Sequence, residues 1–295
     1  MGVVDESVQG RASEPLRPYV AWYTGYRQAG IAPARHRGLP SPYLTLIVTL
    51  DDPLIVAGHP DHRQAPGVYA SLLGGLHRAP ALIMHPGRQS GVQVALSPLG
   101  ARSLLGLPAG ELANIDAPAD AVLGRRIESL RAGMVEASDW QQRFALLDAW
   151  LTGLIRPDRA VPPEVARAWE LLLRSGGAMS AAALADEVGW SGRHLASRFR
   201  TEIGLSPKAA ARVVRFDRAR RVIGDLARRP GPQTVPTLAE IAVTYGYFDQ
   251  AHLARDFREL AGCAPSRWLA EEFRNVQAAG GAIAEPWSGS RLRSD

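Results

Sequence analysis

Between about Leu39 and Leu96 the apolar positions come in short runs. YLTLIVTL (43–50), LIVA (54–57), VYASLLGGL (68–76), ALIM ending at Met84, and GVQVAL (91–96) are separated by Asp-Asp-Pro, Gly-His-Pro and His-Pro-Gly. Strand-sized runs with proline and glycine between them predict a small β barrel or sandwich. From Pro98 the period changes. Leu123, Ile127, Leu130 and Met134 fall on one helical stripe, and Trp140, Phe144, Leu147, Leu151 and Leu154 on a second. Ser138 followed by Gln141 predicts a capping-box start for the second of these helices. RPDRAVPPE (156–164) is a proline-rich break, and everything after it reads as helix. The fold class expected is α+β: a small β unit with helices over 14–155, a linker over 156–163, and an all-α unit over 164–274. Residues 1–13 and 276–295 are polar or small without period and are expected to be flexible tails.

The all-α part contains an internal repeat. Leu184, Ala185, Gly189 and Trp190 align with Ile241, Ala242, Gly246 and Tyr247 at an offset of 57 residues. After one inserted residue, His194-Leu195, Phe199-Arg200, Gly204 and Pro207 align with His252-Leu253, Phe257-Arg258, Gly262 and Pro265 at an offset of 58. Each copy reads as helix, tight turn, helix. Ser180 caps the first helix of copy one, with Met179 and Leu184 placed as a hydrophobic staple. Thr237 with Glu240 forms a capping box in copy two. Gly189 and Gly246 sit where the chain must leave a helix in a left-handed conformation, and Ser191 and Asp249 cap the second helices.

In those second helices Leu195 with Phe199, and Leu253 with Phe257, are i, i+4 pairs that must face a core. The opposite faces carry Arg193, Ser197 and Arg200 in copy one, and Ala251, Arg255 and Arg258 in copy two. A buried stripe backed by arginine and small polar residues is what a DNA recognition helix requires. By this geometry Arg193, Ser197, Gln250, Ala251 and Arg255 are expected to read bases. Arg200 and Arg258 directly follow the buried phenylalanines and are expected at phosphates. His194 and His252 fit either a phosphate contact or a structural hydrogen bond near a helix start. The joining segment 207–229 reads as one long helix with Val213, Phe216, Ala219, Ile223 and Leu226 on one face. Its other face carries Arg212, Arg215, Arg218 and Arg221, for which an ordinary solvated surface is the plain alternative.

The stretch from about Glu164 to Glu272 resembles the DNA-binding domain of the AraC/XylS family of bacterial regulators. GYFDQAHLARDFRELAGCAPSRW (246–268), its weaker twin GWSGRHLASRFRTEIGLSPKA (189–209) and Arg212-x-x-Arg215 carry the likeness. It implies two recognition helices set in adjacent major-groove segments on one face of double-stranded DNA, with Arg212, Arg215 and His252 among the phosphate contacts. Copy one departs from the usual pattern, since Gly192 and Ala196 are small. LRPYVAWYTGYR (16–27), YLTLIVTL and PLGARSLLGLPAGELANI (98–115) resemble more loosely the sensory domains of such regulators. That likeness implies a cupin-like β unit for a small-molecule effector of unspecified identity, helices that form a homodimer seam, and RNA polymerase as a partner if the protein is an activator.

Composition changes this picture little. The 295 residues are 46% apolar and 21% charged, values of a globular chain. No run approaches the roughly 18 apolar residues of a membrane helix. The first residues are polar and do not read as a secretory signal, and one cysteine, Cys263, suits a reducing cytoplasm. A pI near 9.8 leans towards an anionic partner. The excess is almost all arginine, Lys208 being the only lysine, so genome composition accounts for it equally well. His36, His59, His62, His77 and His85 lie in the β unit but lack the close spacing of a metal site, and read as scattered loop or surface residues. Cys263 matches Leu205 in the repeat and reads as core. No catalytic motif is present, so neither a cofactor nor an enzyme is expected. The alternatives are a co-regulator that no longer reads DNA and a metal-dependent β-barrel enzyme fused to helix-turn-helix units.

Overall fold

A computed structural model describes residues 2–228 and 236–272. Among these, ten strands form two antiparallel sheets. They are β1 (Val4–Gly10), β2 (Val20–Ala29), β3 (Ala34–Gly38), β4 (Leu44–Thr49), β5 (Leu54–Gly58), β6 (Gly67–Tyr69), β7 (Ser71–Gly74), β8 (Ala81–His85), β9 (Arg88–Leu96) and β10 (Asp116–Pro118). The six-stranded sheet has the order β1-β2-β9-β4-β7-β10, and the four-stranded sheet the order β3-β8-β5-β6.

The near-continuous apolar run of β4 follows from burial on both faces. Leu44, Leu46 and Val48 point away from the second sheet into a core shared with Val92, Val94 and Leu96 of β9. Ile47, one residue out of phase, points the other way and packs with Leu54, Val56, Leu72 and Ile83 between the sheets. The first of these cores is covered by helices α1 (Ala101–Leu105), α2 (Ala119–Leu123), α3 (Arg126–Glu136) and α4 (Trp140–Leu154). Ile127, Leu130, Met134, Leu147 and Leu151 are all buried in it.

That arrangement gives both stripes partners within one chain, because the outer face of the large sheet needs a cover, and leaves Leu123, Trp140, Phe144 and Leu154 half-buried. Phe144 stacks on Tyr23 with ring centroids 6.0 Å apart and lies against Gly10. Trp140 lies over Gly25 and donates from Nε1 to Glu6 at 2.8 Å. Those contacts also explain β1, which replaces the flexible tail expected over residues 1–13. It pairs with β2 in register from Val4 opposite Ala29 to Gly10 opposite Tyr23. The tail expected at 276–295 lies outside the described residues. The α4 cap is Asp139, not Ser138: its carboxylate accepts from the Gln142 N–H at 2.8 Å.

Seven further helices follow: α5 (Pro163–Arg174), α6 (Ala181–Glu187), α7 (Gly192–Ile203), α8 (Pro207–Arg228), α9 (Leu238–Thr244), α10 (Gln250–Ala261) and α11 (Pro265–Glu272). Their core is aromatic at its centre. Trp169 meets Phe199 at 6.1 Å, Phe216 meets Phe257 at 5.0 Å, and Phe257 meets Trp268 at 5.7 Å between centroids. Truncating one of these rings to alanine removes about 3–5 kcal/mol of stability in a typical core.

The proline-rich break does not leave the two halves apart. Leu76 of the β unit is fully buried in the helical core, with Leu39 and Leu99 packed on it. Arg102 reaches across to Glu202, Nε to Oε2 at 2.6 Å, and the Glu202 side chain is wholly buried. Arg37 pairs with Glu271 at 2.9 Å. The linker expected over 156–163 therefore joins domains that dock through apolar and ionic contacts.

Candidate nucleic-acid interface

Unit one is α6 and α7, and unit two is α9 and α10. The Ser180 hydroxyl accepts from the Ala183 N–H at 3.1 Å, and Ser191 accepts from the His194 N–H at 3.2 Å. Thr237 and Glu240 close a reciprocal capping box over α9, and Asp249 accepts from the His252 N–H at 2.7 Å. Gly189 and Gly246 leave their helices at φ of 68° and 78°, where a side chain would strain the turn. All four caps and both glycines stand where the repeat places them.

These devices fix the roll of α7 and α10. Leu195, Phe199, Leu253 and Phe257 are fully buried. On the outer faces Arg193, Ser197 and Arg200 of α7, and Gln250, Ala251, Arg255 and Arg258 of α10, are exposed. The structure thus brings together on two free helix faces every residue expected to read bases, with Arg200 and Arg258 beside them.

Three other candidates lie elsewhere. Arg212 is drawn inward by two acids of α10, donating from Nε to Asp256 at 2.7 Å and pairing also with Glu259. It ties α8 to the recognition helix. Arg215 donates to the Gly177 carbonyl at 3.3 Å and lies 5.8 Å from the Tyr247 ring centroid. Both guanidinium groups thus have partners within the domain, while Arg212 keeps 27% of its side chain exposed. His252 sets its ring edge-on to Tyr247 at 5.1 Å, as His194 does to Trp190 at 4.4 Å. The repeated histidine is thereby a turn-packing residue in both units. Of the two readings open for this histidine, the structural hydrogen bond near the helix start is met in unit two, where His252 Nδ1 accepts from the Phe248 N–H at 3.4 Å.

Beside the interface lies a cavity of about 580 Å³ between the two sheets. Trp22, Ile47, Leu54, Val56 and Ile83 line its interior. Arg220, Arg221 and Arg228 of α8, with Trp268 and Glu272 of α11, wall one side. The cavity is therefore bounded by both domains. Two histidines expected at the surface are drawn inward near it, His59 buried and His77 half-buried. His59 Nδ1 lies 2.8 Å from Asp116 Oδ2, with the Tyr69 hydroxyl 3.2 Å from its Nε2, and His77 flanks the same carboxylate at 3.3 Å. Burial pushes the Asp116 carboxyl up, but hydrogen bonds and charge from His77 and His59 outweigh it and hold the group below its ordinary value. This cluster clamps β10 to the loop after β5. His85 is also buried, and His36 is brought to about 4 by burial with His85 nearby, while His62 is exposed as expected. Among the described residues no group of three or more His, Cys, Asp or Glu side chains is set to hold a metal ion. Cys263 is buried in the helical core, as its alignment with Leu205 implies.

A β unit enclosing a cavity, fused to tandem helix-turn-helix units with arginines on their free faces, defines a DNA-binding transcription regulator. The family described as "Helix-turn-helix domain" matches residues 184–271, and a "Domain of unknown function (DUF6597)" matches residues 9–118. Among solved structures, an apo point variant of ToxT from Vibrio cholerae strain SCE256 aligns with a TM-score of 0.50 at 9% identity, covering 85% of this chain and 97% of that one. Unsaturated fatty acid-bound wild-type ToxT from the same strain aligns at 0.49 and 11% identity, covering 86% and 95%. An AraC-type transcriptional regulator from Chromobacterium violaceum aligns at 0.31 and 23% identity, covering 37% of this chain and 90% of that one. No curated protein matches. At such identities the likeness to apo ToxT is one of fold. Residues 184–271 thus carry a helix-turn-helix domain, in a chain whose fold is similar to that of apo ToxT. No helix among the described residues is long and apolar enough to cross a membrane.

Proposed function

We propose that this regulator binds duplex DNA sequence-specifically through Arg193, Ser197, Gln250, Ala251 and Arg255, with Arg200 and Arg258 on phosphates, and that a small effector in the inter-sheet cavity governs it. The observation that carries the first part is the exposure of all seven side chains on helix faces whose opposite sides are fully buried. Base contacts specify and phosphate contacts position, so a face holding both kinds supplies what recognition needs. The second part is supported by the cavity wall. Its lining mixes apolar side chains with polar ones such as Thr24, Thr45 and Gln93, which suits a small amphipathic molecule. A ligand there would touch α8 and α11, and so bear on the geometry of unit two.

The test uses the full chain. It should enrich one sequence from a random duplex pool, and log affinity should fall linearly with log salt. Enrichment of nothing, with no salt-dependent binding, would return the chain to the co-regulator reading. For the effector, Ile47→Trp fills the cavity. A compound that changes DNA affinity of the wild type should leave this variant's affinity unchanged, and an equal response in both would place the effector elsewhere.

A further inference from the structure

The two units differ by one residue, and the structure shows what that residue does. Trp190 and Tyr247 occupy matching places before the recognition helices, as do the caps Ser191 and Asp249. In unit one the aromatic and the cap are adjacent. In unit two Phe248 stands between them, and its side chain is 88% exposed.

A large apolar residue directly before an N-cap ordinarily folds back on the fourth residue of the helix as a hydrophobic staple. In unit two that partner would be Leu253, which is fully buried by other means. Tyr247, 3% exposed, already fills the turn, edge-on to His252 and beneath Arg215. The Phe248 N–H meanwhile donates to His252 Nδ1 at 3.4 Å, which anchors the backbone from which the ring projects. The ring therefore has a held base and no intramolecular use.

We propose that Phe248 is a specificity-determining DNA contact of unit two, packing on the methyl group of a thymine at the edge of the site read by the N-terminal end of α10. The N-terminal residues of a recognition helix are the ones that reach base edges in the major groove. Phe248 adjoins them, two positions before Gln250. A phenyl ring offers no hydrogen bond, and the apolar feature that a base pair presents in the major groove is the thymine C5 methyl. Unit one has no counterpart, so the preference should belong to one half of the site.

The experiment uses full-length protein and the duplex it enriches from a random pool. Each thymine is replaced in turn by deoxyuridine, which lacks only the methyl group. One replacement in the half bound by unit two should weaken the wild type about fourfold, the scale of one buried methyl. Phe248→Ala should show no loss at that position, accept any base there, and keep its preferences elsewhere. Phe248→Leu should retain part of the effect. Three results would overturn the proposal. Phe248→Ala could keep the same deoxyuridine sensitivity and base preferences, which would leave the ring, with the exposed Val243 of α9, to a protein partner. It could bind every sequence more weakly by one factor, which would mean a contact to sugar or phosphate. A wild type that enriches no sequence would remove the DNA-binding reading as well, and is distinguishable because it precedes any variant.

Discussion

Units one and two share their caps, turns and buried pairs, yet they meet the rest of the molecule differently. Each turns its post-recognition glycine towards the β unit: Gly204 faces Ala109, Gly110 and Ala113, and Gly262 faces Arg37 and Pro80. At unit one the approach is as close as backbone permits. A Cβ on Gly110 would collide with the carbonyl oxygens of Arg200 and Thr201, and the buried Glu202 is held by Arg102 and, at 3.5 Å, by Arg198. At unit two the contact is the partly exposed Arg37–Glu271 pair, and the cavity opens between α8, α11 and the sheets. The richer of the two proposed reading faces, with Gln250, Arg255 and Phe248, belongs to the more loosely held unit. On the proposed function, rigid bracing and information content fall to different copies of one repeat.

The largest expected effect tests the brace. Arg102→Ala leaves the buried Glu202 carboxylate with only a partly exposed Arg198, and should cost about 2–3 kcal/mol, near the lower end for breaking a buried pair. Arg37→Ala leaves the partly exposed Glu271 still paired with Arg267 at 2.8 Å, and should cost about 1 kcal/mol or less. Chemical denaturation of both variants checks the order, and equal losses would erase the contrast between the two docking sites. Next comes the reading face. Arg255→Ala should lose about 1–3 kcal/mol at one operator position and relax preference there. Arg193→Ala should lose less, because its neighbours Gly192 and Ala196 offer little supporting contact. Titrations on single-base operator variants measure both, and a larger loss for Arg193 would invert the assignment.

A smaller change is expected from the phosphate contacts. Neutralising Arg200 or Arg258 should weaken specific and non-specific binding together, and lower the slope of log affinity against log salt by about 1 each. A loss confined to specific sequences would move that arginine among the base readers. The smallest effect concerns the cavity side of unit two. His36 lines the cavity, and its folded pKa of about 4 lies below the free value of roughly 6.5. The folded state binds the proton less well, so its contribution is complete above the free pKa and declines as pH falls from there through 4. His36→Gln should therefore lose less thermal stability than wild type over that interval. Parallel melting curves would show it.

The repeat was legible because its signals are local. Caps, left-handed glycines and i, i+4 pairs each act within a few residues, and they determined both the turns and the outward faces. The strands β4, β5, β8 and β9 were legible for a similar reason, as apolar runs between turn residues. Four strands escaped: β1, β2, β3 and β10. β1 and β3 sit at sheet edges, and VDESVQG and ARHRG carry the charge that protects an edge from further pairing, which hides the strand signal. The stripes on α3 and α4 were visible, but periodicity reports that a face is covered and not by what. The intramolecular partners of Arg212 and Arg215, namely Asp256, Glu259 and the Gly177 carbonyl, were not legible because only tertiary structure brings them near. For the cavity, alternation along β4 showed a strand buried on both sides, with no sign that one side held space.

The uninterrupted helix α8 has a consequence for the DNA itself. At 22 residues and 1.5 Å per residue it spans about 33 Å, close to one turn of B-form duplex. On the proposed function, a stiff spacer of that length would set the rotational phase between the two half-sites. Adding about five base pairs between them would carry the second half-site round to the far side of the double helix, where α10 could not follow, while a full turn of added sequence would restore the side but not the reach. Because the units at its two ends differ, a single bound chain also reads its target in one direction only. The operator then has a polarity, and inverting it relative to a promoter turns unit two from one flank of the site to the other.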